Sequence, residues 1–138
     1  MTFSLHPDFD PSSHFVADLP LCQLRLHDDA RYPWLILVPR VSAARDYDDL
    51  SPAELAQLTQ EIVRASGAVR ALGAAQGRPV QKTNVAALGN VTPQLHVHVI
   101  GRRSDDAAWP RPIWGVGTTE AYAPSLLEAA LQAVRGAL

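Results

Sequence analysis

Residues 92–103, TPQLHVHVIGRR, place two histidines, His96 and His98, two positions apart in a run of aliphatic and β-branched residues. Side chains alternate across a strand, so Gln94, His96 and His98 are expected on one face and Leu95, Val97 and Val99 on the other. Such a run reads as a buried strand. Buried polar groups need partners, so the row Gln94, His96, His98 requires either a hydrogen-bond network or a chemical task.

The flanking chain supplies the rest of a sheet. LCQLRL (residues 21–26) and WLILVPR (34–40) read as strands around HDDARYP, where Asp28, Asp29 and Pro33 mark a hairpin-like reversal. Alternation makes the first half buried. The second, nearly all apolar, is expected to be central. The clearest helix opens at SPAEL, with Ser51 as N-cap, Pro52 in the first turn and Glu54 completing a capping box. Leu55, Leu58, Ile62, Ala65, Val69 and Leu72 form one apolar stripe, and Gly73 is placed to end the helix. GRPVQKTNVAALGN reads as a strand over residues 80–87, followed by a tight turn at Gly89 and Asn90 into the histidine strand. Leu127, Leu131, Val134 and Leu138 indicate a terminal helix from Pro124.

Residues 1–18 mix turn formers and aromatics and are expected to form an irregular arm or short helix over the body. Residues 104–122 are rich in Pro, Gly and Trp. Tryptophans left in water waste apolar area, so Trp109 and Trp114 are expected in an ordered segment near the histidine face or an interface. The layout is α+β, one domain over residues 1–138, with helices on one side of an antiparallel sheet.

Composition narrows the function classes. With 12 Lys plus Arg against 14 Asp plus Glu, the formal net charge of −2 gives no long-range pull on polyanions, so nucleic acid is not expected as a partner. The lone cysteine, Cys22, has no disulfide partner within the chain, and the polar start lacks a signal-segment pattern, so a cytoplasmic location is expected. No apolar run approaches the ~20 residues of a membrane span, and no membrane partner is expected.

Two imidazoles on one strand face have three readings. They are satisfied packing residues, or two ligands of a metal, or a nucleophile with its helper. A metal would need further ligands, and the supply is poor: one cysteine, with no histidine after His98. Nucleophilic catalysis suits the pair better. A neutral imidazole attacks through one nitrogen while the other donates a hydrogen bond that fixes its tautomer.

QLHVHVI resembles the histidine triad (HIT) motif, His-φ-His-φ-His-φ-φ with φ apolar, with Gln94 standing at the first histidine position. LHDDARYPWLILVPR resembles the family's paired strands, and GNVTPQLHVHVIGRR its phosphate-side turn running into the motif and a trailing arginine. The resemblance covers about residues 21–103. It implies a HIT-like antiparallel sheet of about five strands, with one long helix and a C-terminal helix. It further implies a homodimer in which the sheets of two subunits join, and a hydrolase or nucleotidyl transferase acting at an α-phosphorus with neither cofactor nor metal. The implied substrates are a nucleoside phosphoramidate, an acyl-nucleotide or a dinucleoside polyphosphate, with a purine base.

Carried over residue by residue, His96 is the attacking group and His98 assists through phosphate. Asp28 matches the ribose contact, Asn90 a phosphate-side loop residue, and Asn84 and Arg102 further candidates for the same pocket. His27 is expected to pack locally. Gln94 cannot shuttle a proton but retains a donor and an acceptor, so exchanging it for histidine is expected to restore the row without breaking the strand. The alternative is a module that keeps the nucleotide pocket and has lost turnover.

Overall fold

The computed structural model describes residues 2–138. A short helix α1 (Phe9–Ser12) leads into β1 (Ser13–Asp18), β2 (Cys22–His27), β3 (Trp34–Pro39), the long helix α2 (Pro52–Ala75), β4 (Lys82–Ala86), β5 (Val97–Arg102) and α3 (Pro124–Gly136). The five strands form one sheet in the order β1-β2-β3-β5-β4, every neighbour antiparallel. Wholly apolar β3 is its central strand, as its composition requires.

Register decides what each face carries. β3 pairs with β5 through Trp34↔Ile100, Leu35↔Val99, Ile36↔His98 and Leu37↔Val97. Leu35, Leu37, Val97 and Val99 therefore share one face with Leu24 and Leu26, and α2 and α3 cover it through Leu58, Val69, Leu72 and Val134. Each such side chain contributes ~1.5–3 kcal/mol on burial. Trp34, Ile36, His98 and Ile100 occupy the other face. That face is not purely polar: Phe9, Ile36, Val38, Ile100, Ala108 and Ile113 form a second apolar cluster there, under the N-terminal arm and the segment after β5.

The Ser51–Glu54 capping box forms as expected. On the buried side of α2, Glu61 is 0% exposed and accepts the Leu21 and Cys22 backbone N–H groups, both at 2.8 Å. A carboxylate on the helix's apolar side thus fixes the turn between β1 and β2. Burial, then the Glu61 charge, pushes the Cys22 thiol far above its ordinary range, so it is no nucleophile.

Four expectations need correction. Residues 13–18 are not an arm but the edge strand β1, paired with β2. Gly73 lies inside α2, which runs on to Ala75, and its role is packing: a Cβ there would meet the Arg78 carbonyl oxygen and Val80 Cγ2 at 2.7 Å, so glycine lets the chain returning toward β4 come close. β4 begins at Lys82, not residue 80. The link from β4 to β5 is a longer loop, 87–96, with bends at 90–92 and 94 and not a tight turn at Gly89 and Asn90, so Gln94 and His96 precede the strand ladder. No helix among the described residues is long and apolar enough to cross a membrane.

Candidate active site

Residues 87–96 run along the mouth of the second face, tied down where the Leu95 N–H donates to the Ala44 carbonyl at 3.0 Å. His96 Nδ1 lies 2.7 Å from the Gln94 backbone carbonyl oxygen. A carbonyl only accepts, so Nδ1 carries the proton and Nε2 carries the lone pair. Burial lowers the His96 pKa, with the carbonyl contact opposing it, so the ring is neutral at pH 7. The edge of Phe9 packs on this ring at a centroid distance of 5.0 Å. The loop backbone also closes on it: a Cβ on Gly89 would stand 2.7 Å from His96 Cε1.

His98 is held at both ends. The Trp34 indole N–H donates to Nδ1 at 3.0 Å, and Nε2 lies 3.0 Å from the Leu88 carbonyl oxygen. An indole only donates and a carbonyl only accepts, so Nε2 bears the proton. The two imidazoles, 5.0 Å apart between centroids, thus hold opposite tautomers. Burial foremost lowers the His98 pKa to about 4.

Gln94 does not extend the row as a third polar strand residue. Its carboxamide oxygen accepts the His6 N–H at 2.8 Å, and its NH2 donates to the Ser4 carbonyl at 2.9 Å. Thr92 Oγ1 donates to Asp8 Oδ2 at 2.8 Å alongside. Side chain and main chain of Gln94 therefore divide two tasks: the amide clasps the N-terminal arm that carries Phe9, and the carbonyl orients His96.

A cleft of about 320 Å³ opens between residues 88–92, His96, His98 and Trp114, and Asn90 stands in its wall. On the far side of His98 and Trp114 a second cleft, about 280 Å³, is bounded by His27, Asp29, Arg31 and Trp34. Trp114, 5.1 Å from the His98 ring, is shared by both, as expected of its segment, whereas Trp109 lies under the Arg102 guanidinium and stays 41% exposed. His27 stacks on Trp34 at 3.9 Å with Nδ1 buried and unpartnered, and burial lowers its pKa. Larger clefts, about 470 Å³ each, lie beside Arg78 and Arg103 and between α2 and α3, away from both triad histidines. Chemistry, not size, identifies the site.

Several expected site residues have other surroundings. Asp28 accepts the Tyr122 N–H at 3.0 Å and lies 3.2 Å from His14 Nε2; its neighbour Asp29 is the one that lines a cleft. Burial works against the Asp29 charge, but the Arg31 hydrogen bonds outweigh it and hold the carboxyl below its usual range. Arg102, only 2% exposed, donates to Asp106 at 2.8 and 3.1 Å, to Asn84 Oδ1 at 2.8 Å and to the Arg111 carbonyl at 2.8 Å. Arg102, with Asn84 Oδ1 as one of its acceptors, thus anchors the segment after β5, and neither residue lines the clefts beside the histidines. Asp106, opposed by burial but carried by Arg102 and three backbone N–H groups, is lowered to about 2.

Sequence patterns do not mark Trp34, Asp29 or Arg31 as site residues. One signal existed for Trp34: a tryptophan heading an aliphatic strand. Its diagonal contact with His98 depends on a register that only pairing sets. Among the described residues no group of three or more His, Cys, Asp or Glu is arranged to hold a metal ion.

A family model described as "HIT domain" matches residues 9–105. Among solved structures, a histidine triad protein from Bradyrhizobium japonicum is 43% identical, with a TM-score of 0.88 over 99% of this chain and 98% of that one. Another from Sinorhizobium meliloti is 37% identical (TM-score 0.89, 99% and 98%), and one from Marinobacter aquaeolei 33% (0.85, 100% and 97%). No curated protein matches the chain.

Proposed function

The chain belongs to the HIT domain family, a family of nucleotide hydrolases and transferases, and from that premise we propose that it cleaves a nucleotide substrate at the α-phosphorus through a nucleotidyl-His96 intermediate. The observation that carries this reading is the 2.7 Å contact of His96 Nδ1 with the Gln94 carbonyl, which leaves the Nε2 lone pair as the attacking group. Nε2 forms a bond to phosphorus as the bond to the leaving group breaks, and the leaving group departs with the electron pair. The ring then carries positive charge, which the Nδ1–H bond to the carbonyl dipole stabilises. Water or an acceptor hydroxyl next attacks phosphorus and gives up its proton to solvent, and the P–N electron pair returns to Nε2. Neither half-reaction as written uses a metal or cofactor.

Purine nucleotides are the substrate class we assign, with Asn90 on the phosphate side. Asp29 and Arg31 become ribose-side candidates in place of Asp28, since they line the cleft beyond His98. We further propose a homodimer formed at the outer edge of β4, the terminal strand of the sheet, where Val85 is exposed.

A second reading has support in Gln94, whose amide is engaged with the arm and relays no proton: a module that binds nucleotide without turning it over. One experiment separates the two. Denaturing the protein after brief exposure to an α-labelled adenosine nucleotide should leave acid-labile label on His96. Micromolar binding with no label at any time point would instead establish the module.

A further inference from the structure

The proton inventory of the histidine cleft bears on the leaving group. An amine leaves phosphorus only after it has been protonated, whereas a carboxylate or a phosphate leaves as a stable anion. The groups around the cleft are therefore decisive. His98 is neutral, with its one proton on Nε2 and its lone pair committed to the Trp34 N–H. To give that proton up it would have to become an imidazolate. To gain a second it would have to break the indole bond. His96 carries its proton on Nδ1, directed at the Gln94 carbonyl and away from the attacking nitrogen. Gln94 has no ionisable proton, and Thr92 Oγ1 donates to Asp8. Asn90 and Trp114 complete the polar and aromatic walls without an acid.

The neighbouring elements add none. Asp46, in the small cleft behind His96, accepts a backbone N–H at the turn before α2. His6, on the arm, accepts the Asp8 N–H through Nδ1. Asp29 is tied to Arg31, and His27 is buried against Trp34.

We propose that the cleft selects nucleotides whose leaving group departs as a stable anion, an acyl carboxylate or the phosphate end of a polyphosphate chain, and disfavours phosphoramidates, with Trp34 as the positioning residue that keeps His98 a neutral donor. His98 then contributes an Nε2–H that a phosphoryl oxygen can share with Leu88, not a proton for transfer. The proposal rests on His96 being the nucleophile. The low pKa of His98 agrees with it: cationic His98 is scarce at any pH near neutrality.

The test compares two probes with one nucleoside. One is adenosine 5′-p-nitrophenyl phosphate, whose phenolate needs no proton. The other is an adenosine 5′-N-alkylphosphoramidate, whose amine does. The expected kcat/KM ratio is at least ~100-fold in favour of the aryl ester, ~2.7 kcal/mol of barrier, with both labelling His96 if driven long enough. Labelling of His96 by both at rates within about tenfold overturns the selectivity and leaves the nucleophile reading standing. Labelling by neither overturns both.

Trp34→Phe frees Nδ1 of His98 for protonation. It should narrow the ratio by about tenfold, chiefly by raising phosphoramidate turnover below pH 6, while a purely structural loss would lower both probes alike and so count against the role. If that variant does not fold, imidazole 15N shifts of the unaltered protein decide. Unprotonated Nδ1 and protonated Nε2 on His98 from pH 5.5 to 8 support the proposal, and a cationic ring at pH 6 overturns it.

Discussion

The two ends of the second face of β5 bury polar side chains in opposite ways. At the C-terminal end, each nitrogen of the Arg102 guanidinium donates within the chain, to Asp106, Asn84 and a carbonyl. At the N-terminal end, His98 is also satisfied, but the His96 ring beside it has only its Nδ1 bonded among the described residues, with a cleft adjoining it. Arg102 and the histidines are comparably buried, at 2% and 6% exposure, so burial does not separate them. A free valence does. A polar group whose every hydrogen-bonding site is matched inside the chain stabilises structure, and one left with an unmatched lone pair at a cleft is available for chemistry.

The largest expected effect lies at the reactive end. His96→Ala should lower kcat by ~10⁴-fold, ~5.5 kcal/mol, and leave nucleotide affinity within about tenfold, since the P–N bond forms only on the way to the transition state. Single-turnover kinetics with equilibrium binding measures both. Turnover surviving in this variant but lost in His98→Ala would move the nucleophile to His98.

At the structural end, Arg102→Met strands the Asp106 carboxylate and should destabilise the fold by ~3–5 kcal/mol, read from urea unfolding, while nucleotide affinity stays within about threefold. A tenfold loss of affinity at unchanged stability would make Arg102 a phosphate ligand after all and erase the contrast.

Acid should act on the two ends in separate windows. The His98 pKa falls from 6.5 to about 4 on folding, so the unfolded chain takes up a proton that the folded chain refuses. Stability is therefore full above pH 6.5 and declines as pH drops toward 4, by at most ~3 kcal/mol from this group. Asp106, lowered from 3.8 to about 2, contributes above pH 3.8 and is lost only below it. Urea midpoints between pH 7.5 and 4 that do not move, or that move equally in His98→Gln, would contradict the first window.

The smallest effect concerns the clasp. Gln94→His breaks the paired bonds to Ser4 and His6, so it should cost about 1 kcal/mol, speed amide exchange over residues 3–8 and lower turnover a few-fold; it should not restore a working triad. Unchanged exchange together with faster turnover would show that the arm does not depend on Gln94.

Much of this molecule was legible locally. The Ser51–Glu54 box, the helical stripe from Leu55 to Leu72 and the aliphatic run of β3 are patterns of short range, and each formed near its expected place because backbone propensity and side-chain periodicity act within a few residues. The string QLHVHVI, taken with the hairpin, helix and turn that precede it over residues 21–103, places the chain beside the HIT family and singles out His96. Residues 13–18 do not read as a strand in isolation, because an edge strand with His14, Phe15 and Asp18 lacks the apolar signature of burial on both faces and is defined by pairing with β2.

What the sequence determined by itself was therefore the main elements from β2 onward, their order and the residue types of the histidine row. Only the tertiary structure decided which of those polar groups were left unmatched. Trp34 reaches His98 from the neighbouring strand, Asp106 and Asn84 close on Arg102, and Ser4 and His6 close on Gln94 from 90 and 88 residues away. A hydrogen bond is satisfied in space and not along the chain, so the remaining lone pair, and with it the chemistry, becomes visible only once every distant partner is in place.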